Sequence, residues 1–201
     1  MKIINKEAVI DYDKCIGCRT CYSVCPAGVI EMVDRKPVIA PNSCFGCSAC
    51  AESCPKYCIT MKPLAEKRTV YFDPSGFDQD KIREICVNAH FYPKMEICCS
   101  GTKAEEVAAA ILAGAKNPIE ITRLTGIRTN CKSGCVQPIF RMLKGAGITV
   151  EAPPGYQWYD MTQTIWDFGD DIKAEYGDLY RIDGDIDFCN ECNAKGLERR
   201  K

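Results

Sequence analysis

Short β-branched runs separated by polar turns dominate the first seventy residues. Two such runs, at residues 29–33 and 37–40, flank the polar segment 34–36 and predict a β-hairpin. Other apolar runs predict outer strands at residues 3–10 and 59–61, and one more strand at 69–72. The pattern therefore predicts a first part that is rich in short strands.

After residue 95 the apolar positions change to helical spacing. Thr102 and Glu105 form a capping box ahead of apolar residues at 107, 108, 111 and 112, which predicts a first helix. Asn117 before Pro118 predicts the start of a second helix. A third helix is predicted to stop near Gly145, from apolar residues at i, i+3, i+4 and i+7, namely Val136, Ile139, Phe140 and Leu143. Three helices this short cannot bury a large core, so something else must help to hold them together.

Sixteen cysteines among 201 residues restrict the class of protein. Residues 1–7 lack the apolar stretch and cleavage site of a secretion signal, so we expect the thiols to stay reduced in the cytoplasm and to act as ligands. No apolar run reaches the roughly 18–20 residues of a membrane span. The net charge of −1 argues against a strongly basic nucleic-acid surface. We therefore expect a cytoplasmic protein with no membrane span and no nucleic-acid partner.

Two near-identical cysteine runs repeat within the first sixty-four residues. Each has the spacing C-x-x-C-x-x-C-x-x-x-C followed by proline. Three thiolates of such a run can hold three corners of a four-iron cluster, and the fourth cysteine of each run ligates the cluster of the other run. The spacing thus predicts one [4Fe–4S] cluster on Cys15, Cys18, Cys21 and Cys54, and a second on Cys44, Cys47, Cys50 and Cys25. Zinc is the weaker alternative, because both runs are complete and both carry the proline.

With all eight motif cysteines and both prolines, residues 1–64 resemble the bacterial-type ferredoxins that hold two four-iron clusters. The resemblance implies a pseudo-twofold α+β fold and one-electron transfer at low potential. Free ferredoxins of this type are strongly acidic, whereas this segment is slightly basic, which favours a fixed subunit over a diffusing carrier. Cys58 has no place in the motif and is expected to be a small buried hydrophobe.

A second cysteine group lies at predicted helix N-termini, where free N–H groups and the helix dipole stabilise an anionic centre. Two close pairs of thiolates are able to hold a two-iron cluster or one zinc ion. This part of the chain has a Cys-Ser-Gly segment, an alanine-rich helix, and a Leu-Thr-Gly-Ile-Arg-Thr segment before the second cysteine pair. In these features it resembles the bacterioferritin-associated ferredoxin domain. This resemblance, over residues 95–147, implies a [2Fe–2S] cluster on four cysteines, namely Cys98, Cys99, Cys131 and Cys135.

The second resemblance departs from the family pattern at both cysteine pairs. The family has C-x-C and C-x-x-C, whereas this chain has adjacent Cys98 and Cys99, and three residues between Cys131 and Cys135. Cys98 is therefore the least secure ligand, and the candidates to replace it are Cys86, Cys189 and Cys192. A zinc site or a fold without metal remain the alternatives for this domain.

Two segments are assigned less specifically. Residues 65–94 are expected to be a linker with a strand and a helix. Residues 148–201 are expected to be an irregular tail, acidic and aromatic, that covers the helical part or docks a partner. In this tail Cys189 and Cys192 form a C-x-x-C pair, interpreted as two reduced thiols or part of a further metal site. Its aromatic residues are Tyr156, Trp158, Tyr159, Trp166, Phe168, Tyr176, Tyr180 and Phe188.

No Walker loop, dinucleotide fingerprint or nucleophile motif is present, so no catalytic residue is nominated. We interpret the chain as an electron-transfer subunit that carries electrons between a low-potential donor or acceptor and a separate catalytic subunit of an oxidoreductase complex. Similar fused domains suggest a flavin- or metal-dependent partner of anaerobic metabolism, and hence a hetero-oligomer. The alternative is an iron-handling or redox-sensing protein that acts on a ferritin-like partner. A weaker alternative is a reductase that uses Cys189 and Cys192 as its dithiol.

Overall fold

Two modules and a tail make up the part of the chain that the structure describes. The structure is a computed structural model, and it describes residues 1–132, 134–150 and 161–195. We call residues 1–70 the N-terminal module and residues 72–150 the helical module. Helices together with small antiparallel sheets give the α+β class that the sequence predicts.

The N-terminal module, described in full, contains four strands and two short helices. In chain order they are β1 (Lys2–Ile10), α1 (Thr20–Val24), β2 (Ile30–Val33), β3 (Lys36–Ile39), α2 (Ala49–Glu52) and β4 (Ile59–Val70). β1 pairs antiparallel with β4, and β2 pairs with β3 as the predicted hairpin. Asp34 and Arg35 at the hairpin turn both have positive φ angles, as a two-residue turn of this kind requires.

The prediction of separate strands at residues 59–61 and 69–72 is wrong. The single strand β4 covers Ile59 to Val70, because β1 pairs with it at both ends and holds the intervening residues extended. Pro63 lies opposite Lys6, beside the one register shift of the ladder, where its missing N–H costs little.

The two cysteine runs have closely similar backbones. Gly17 and Gly46 occupy equivalent positions with φ angles of 68° and 67°. A Cβ at Gly17 would lie 2.4 Å from a backbone oxygen, and one at Gly46 would lie 2.6 Å from another, so only glycine fits. Helices α1 and α2 both begin after a residue in the left-handed conformation, Arg19 and Ser48. The repeat is therefore structural as well as sequential.

Sulfur forms much of the interior of the N-terminal module. Its buried hydrophobic cluster contains two isoleucines beside four cysteines, namely Ile30, Ile59, Cys21, Cys50, Cys54 and Cys58. A domain of about 60 residues with so small an apolar core needs further cross-links, such as bound metal, to be stable.

Four helices form the described part of the helical module, residues 72–132 and 134–150. They are α3 (Gln79–Asn88), α4 (Ala104–Leu112), α5 (Pro118–Thr125) and α6 (Val136–Gly145). Helix α3 packs against α4 and α6 and contributes Ile82, Ile85 and Cys86 to the shared core. The helix predicted within residues 65–94 is thus part of this core, which raises the number of packed helices from three to four.

The predicted capping box of Thr102 and Glu105 is wrong by one residue. The N-cap of α4 is Lys103, whose backbone N–H donates to the carboxylate of Glu106 at 3.0 Å. Thr102 is fully buried and its hydroxyl bonds within the preceding loop, so it does not cap the helix. Two other predicted helix boundaries are confirmed, with α5 starting at Pro118 after its cap Asn117 and α6 ending at Gly145.

The described part of the tail is helical, so the prediction of an irregular tail is wrong. After a 3₁₀ turn (Ile165–Asp167) it forms α7 (Asp170–Tyr180) and α8 (Ile182–Lys195). Few side chains of these helices are buried, so apolar residues do not recur at helical spacing in their sequence. Acidic residues in the first turn stabilise both helices through the helix dipole. None of the described helices is long and apolar enough to cross a membrane. Three of the predicted aromatic residues, Tyr156, Trp158 and Tyr159, lie outside the described residues.

Trp166 anchors the tail on the helical module. Its ring stacks on His90 with the ring centroids 4.1 Å apart, and the guanidinium of Arg141 lies 5.6 Å from its centroid. Farther along, Arg83 of α3 donates to the carbonyl oxygen of Ala194 in α8 at 3.1 Å. The described tail therefore contacts the helical module at α3, at α6 and at His90.

Polar contacts join the helical module to the N-terminal module. Arg123 of α5 donates from Nε to the carbonyl oxygen of Ala27 at 2.7 Å. Lys2 at the start of β1 donates at 3.2 Å to a backbone carbonyl in the loop between α5 and α6. An ion pair between Lys132 and Glu52 lies at the edge of the same contact.

Candidate iron–sulfur sites

The first cysteine run and one cysteine of the second run meet in a single cavity. Cys15 and Cys18 lie on the loop after β1, Cys21 lies in α1, and Cys54 lies two residues after the end of α2. All four line the same largely enclosed cavity, which we call the first cavity. The tight backbone at Gly17 keeps this loop close to the β2–β3 hairpin.

The second run forms a matching cavity. Cys44 and Cys47 lie on the loop after β3, Cys50 lies in α2, and Cys25 directly follows α1. These four line what we call the second cavity. The structure thus brings together the same two sets of four cysteines that the spacing predicts, with the fourth cysteine exchanged between the runs.

The cysteines of both cavities fit a four-iron cluster in donor type and in arrangement. The four predicted ligand cysteines line each cavity, and the remaining lining includes apolar residues such as Ile30, Ile39 and Ile59. Thiolates are the ligands that iron–sulfur clusters use. Among the described residues no three His, Cys, Asp or Glu side chains are grouped to hold a single metal ion. A cluster presents its irons at separate corners, so its ligands surround a space and do not converge on one point.

Burial keeps three of these thiols protonated until a metal displaces the protons. It raises the pKa of Cys50 to about 12 and also raises the pKa of Cys21 and of Cys47. Cys18, which is exposed, has a lowered pKa because it is hydrogen-bonded to the hydroxyl of Thr20 at 3.4 Å. Loading either cavity must therefore release protons, which makes it dependent on pH.

Comparison with known families also indicates iron–sulfur clusters in this part of the chain. Residues 7–55 match the family model described as 4Fe-4S dicluster domain. The segment is therefore similar to a 4Fe-4S dicluster domain, and we refer to it below as the dicluster domain. The dicluster domain includes all eight cysteines of the two cavities, so it indicates iron–sulfur clusters and supports an electron-transfer role. Searches of curated proteins and of solved structures gave no match.

The four cysteines predicted to hold a two-iron cluster lie outside the dicluster domain, at one site on the helical module. Cys98 and Cys99 lie on the loop before α4, and Cys131 and Cys135 lie before α6. The Sγ atoms of Cys98 and Cys135 are 3.4 Å apart and buried, whereas Cys99 and Cys131 are exposed and hydrogen-bond to each other. All four line one open surface cavity, which we call the third site.

Hydrogen-bond donors surround the buried pair of the third site. The hydrogen bond with Cys135 and the hydroxyl of Ser100, 3.1 Å away, lower the pKa of Cys98 to about 4. The same pairing raises the pKa of Cys135, so the two sulfurs share one proton. The backbone N–H of Arg128 donates to both. The third site thus supplies four thiols and donors aimed at anionic sulfur, which fit the predicted two-iron cluster.

The cysteines proposed as replacements for Cys98 lie elsewhere. Cys86 is fully buried in α3, and burial raises its pKa to about 12. Cys189 and Cys192 lie in α8, three residues apart. None of these three is among the described residues that line the third site. Cys98, by contrast, lies within the site.

Sequence reasoning missed a fifth thiol in the first cavity. Cys58 is buried, as expected, but it lines the cavity and its Sγ lies 3.4 Å from that of Cys54. Its position in the sequence could have predicted this, because Cys58 lies four residues after Cys54, directly after the turn that Tyr57 closes on the Cys54 carbonyl.

Cations lie between the second cavity and the third site, and no motif predicts them. The ammonium of Lys2 has a pKa lowered by burial, an effect opposed by the nearby thiols of Cys47 and Cys98. Burial likewise lowers the pKa of Arg128, opposed by Cys135 of the third site and Cys25 of the second cavity. These two side chains therefore place positive charge near thiols of both groups.

Proposed function

We propose that this chain is an electron-transfer subunit with two [4Fe–4S] clusters and one [2Fe–2S] cluster. The first two would be held by the cysteines of the first and second cavities, and the third by Cys98, Cys99, Cys131 and Cys135. When bound, such clusters accept and release single electrons over a wide range of potentials. The partner is a separate catalytic subunit, flavin- or metal-dependent, in an oxidoreductase complex of anaerobic metabolism.

The observation that carries the proposal is the contact between the second cavity and the helical module. Ala27, which lines the second cavity, accepts the hydrogen bond from Arg123 of α5. Lys2 and Arg128 each face thiols of both the second cavity and the third site. A chain that only stored or sensed iron would have no need to connect two thiol sites through shared cations in this way.

The two ends of the arrangement are open to solvent. At the first cavity Cys18 is exposed, and the neighbouring apolar side chains Ile16, Tyr22 and Tyr57 are exposed as well. At the third site Cys99 and Cys131 are exposed. Exposed apolar groups around a redox site favour docking of another protein. Each end therefore offers a place for electron exchange with a different partner.

The protein's own residues have three tasks in this function. The crossed cysteines would hold the clusters and connect the two runs. The apolar lining of the cavities excludes water, which lowers the local dielectric constant. The cations Lys2 and Arg128, which face thiols of both sites, would offset the negative charge of thiolate-ligated clusters and so favour their reduced states.

Purification of the tagged chain from its native host without air tests this proposal. We expect it to co-purify in near-equal amount with a flavin- or metal-containing enzyme. Activity of that enzyme with a low-potential electron donor should fall at least tenfold when Cys131 is replaced by Ser. The matched control is Cys86→Ser, which removes a thiol outside the three sites and should leave the activity intact. Recovery as a free monomer, or stable binding to a ferritin shell, would contradict the proposal.

A further inference from the structure

Cys58 lies inside the first cavity in a fixed position. Its side chain is 4% exposed, and its Sγ is 3.4 Å from the Sγ of Cys54. It also hydrogen-bonds to the thiol of Cys15. Its backbone carbonyl accepts a 2.7 Å hydrogen bond from Asp11, and β4 starts at the next residue, Ile59. The thiol is therefore held beside two of the four predicted ligands.

The second cavity has valine at the corresponding place. Cys58 follows Cys54 by four residues, and Val29 follows Cys25 by four residues. Each lines its own cavity. The two cavities are built from equivalent cysteines, glycines and helices, so this pair is a chemical difference at a matched position. One cavity has a sulfur–hydrogen donor where the other has only a hydrocarbon side chain.

We propose that Cys58 is not a ligand but donates a hydrogen bond from its S–H to the sulfur of Cys54, and thereby raises the reduction potential of the first-cavity cluster relative to the second. The inference rests on the proposed function, because it requires that both cavities hold clusters. Each four-iron cluster already has its four cysteines, so a fifth thiol has no iron to bind.

The physical reason is the charge on the ligand sulfur. A donor near this atom stabilises the more negative, reduced state, and hydrogen bonds to the sulfurs are among the factors that set cluster potentials. A thiol is a weak donor, but the enclosed cavity strengthens the effect. A hydrogen bond of ordinary net strength changes the ratio of reduced to oxidised cluster by about threefold to tenfold at fixed potential. Tenfold corresponds to about 59 mV for one electron.

Redox titration of the full chain, followed by EPR under anoxic conditions, tests the inference. Cys58→Val gives the first cavity the side chain that the second cavity has. In this variant we expect one of the two four-iron transitions to move to lower potential, so that the ratio of reduced to oxidised cluster at a fixed potential falls several-fold. The other transition should stay in place. Cys58→Ser keeps a donor and should stay closer to the wild type than Cys58→Val. In Val29→Cys the remaining four-iron transition should move upwards.

Iron content separates the possible outcomes. If Cys58→Val keeps the wild-type iron content and its transition moves, Cys58 is a donor and not a ligand. If the variant loses iron, Cys58 is a ligand and the inference is wrong. If iron is kept and neither transition moves, the inference is also wrong. Cys58→Ala repeats the test with a smaller side chain in case valine disturbs folding. A wild-type chain purified without iron would instead overturn the proposed function, and this inference with it.

Discussion

Arg123 donates a 2.7 Å hydrogen bond from its Nε to the carbonyl oxygen of Ala27, and a second from its Nη2 to the neighbouring Gly28. Ala27 and Pro26 both line the second cavity, directly after the cysteine that crosses into it. Helix α5 is therefore fixed to the wall of a predicted cluster site. The contact explains how a helical module with a separate core stays close to the dicluster domain.

Replacement of Arg123 by Gln should loosen this contact. The change removes charged hydrogen bonds to two backbone carbonyls, each of which contributes about 1.5–3 kcal/mol. We expect faster amide hydrogen exchange in residues 26–30 and 119–123, measured by mass spectrometry. Arg83→Gln is the matched control, because Arg83 bonds to α8 and not to the dicluster domain. Equal exchange in residues 26–30 for both variants would show that Arg123 does not hold the modules together.

The crossed assignment of ligands predicts which cysteine variants resemble each other. Cys54→Ser should change the same EPR signal as Cys15→Ser, although 39 positions separate them, because both line the first cavity. Cys25→Ser should change the other four-iron signal, as Cys44→Ser does. If Cys25→Ser instead resembled Cys15→Ser, each run would hold its own cluster and the crossed arrangement would be wrong.

His90 should make the packing of the tail sensitive to acid. Burial is the main cause that lowers the pKa of His90 below its ordinary value of 6.5, and the positive charge of Arg141 is the second. Lys144 lowers this pKa further, whereas the carboxylate of Asp167 raises it. The folded state therefore favours neutral imidazole. Its contribution to stability is present above pH 6.5 and is lost as the pH falls through 6.5 towards the lower pKa of the folded state.

Fluorescence of Trp166 measures this effect, because its ring stacks on His90. In a Trp158→Phe background, which leaves Trp166 as the only tryptophan, we expect a reversible change in emission as the pH falls below 6.5. His90→Phe retains an aromatic ring for stacking but cannot titrate. A change of the same size in His90→Phe would assign the transition to other groups.

Removal of iron should unfold the dicluster domain before the helical module. The N-terminal module buries two isoleucines and four cysteines in its cluster, whereas the helical module has a larger apolar core that includes Ile121, Ile139 and Leu143. After treatment with a chelator and oxidant, proteolysis should cut first within residues 11–58 and spare residues 104–145. Equal resistance of both segments with and without iron would show that the cysteines do not stabilise the fold through metal.

The sequence predicted those features that depend on local pattern. The hairpin 30–39, the cap at Asn117 and the end of α6 at Gly145 each follow from a few neighbouring residues, and the structure has them. The exact repeat of the cysteine runs also predicted which cysteines share a cavity. Such features need no knowledge of the tertiary contacts.

Features that depend on distant contacts were missed. β4 is continuous because β1 lies beside it, and helix α3 joins the core because α4 and α6 cover its apolar face. Thr102 is a good cap by type, but it is buried in its loop. Helices α7 and α8 bury few side chains, so their sequence shows no strong period. The cations Lys2 and Arg128 reach their positions only when the two modules meet.

Iron and acid-labile sulfide, measured per chain after purification without air and combined with EPR, test the central claim most directly. With all three sites loaded we expect roughly ten irons and as many sulfides, from two four-iron centres and one two-iron centre. Eight of each would restrict the metal to the dicluster domain and remove the two-iron centre. A folded, colourless chain without iron or sulfide would contradict the account.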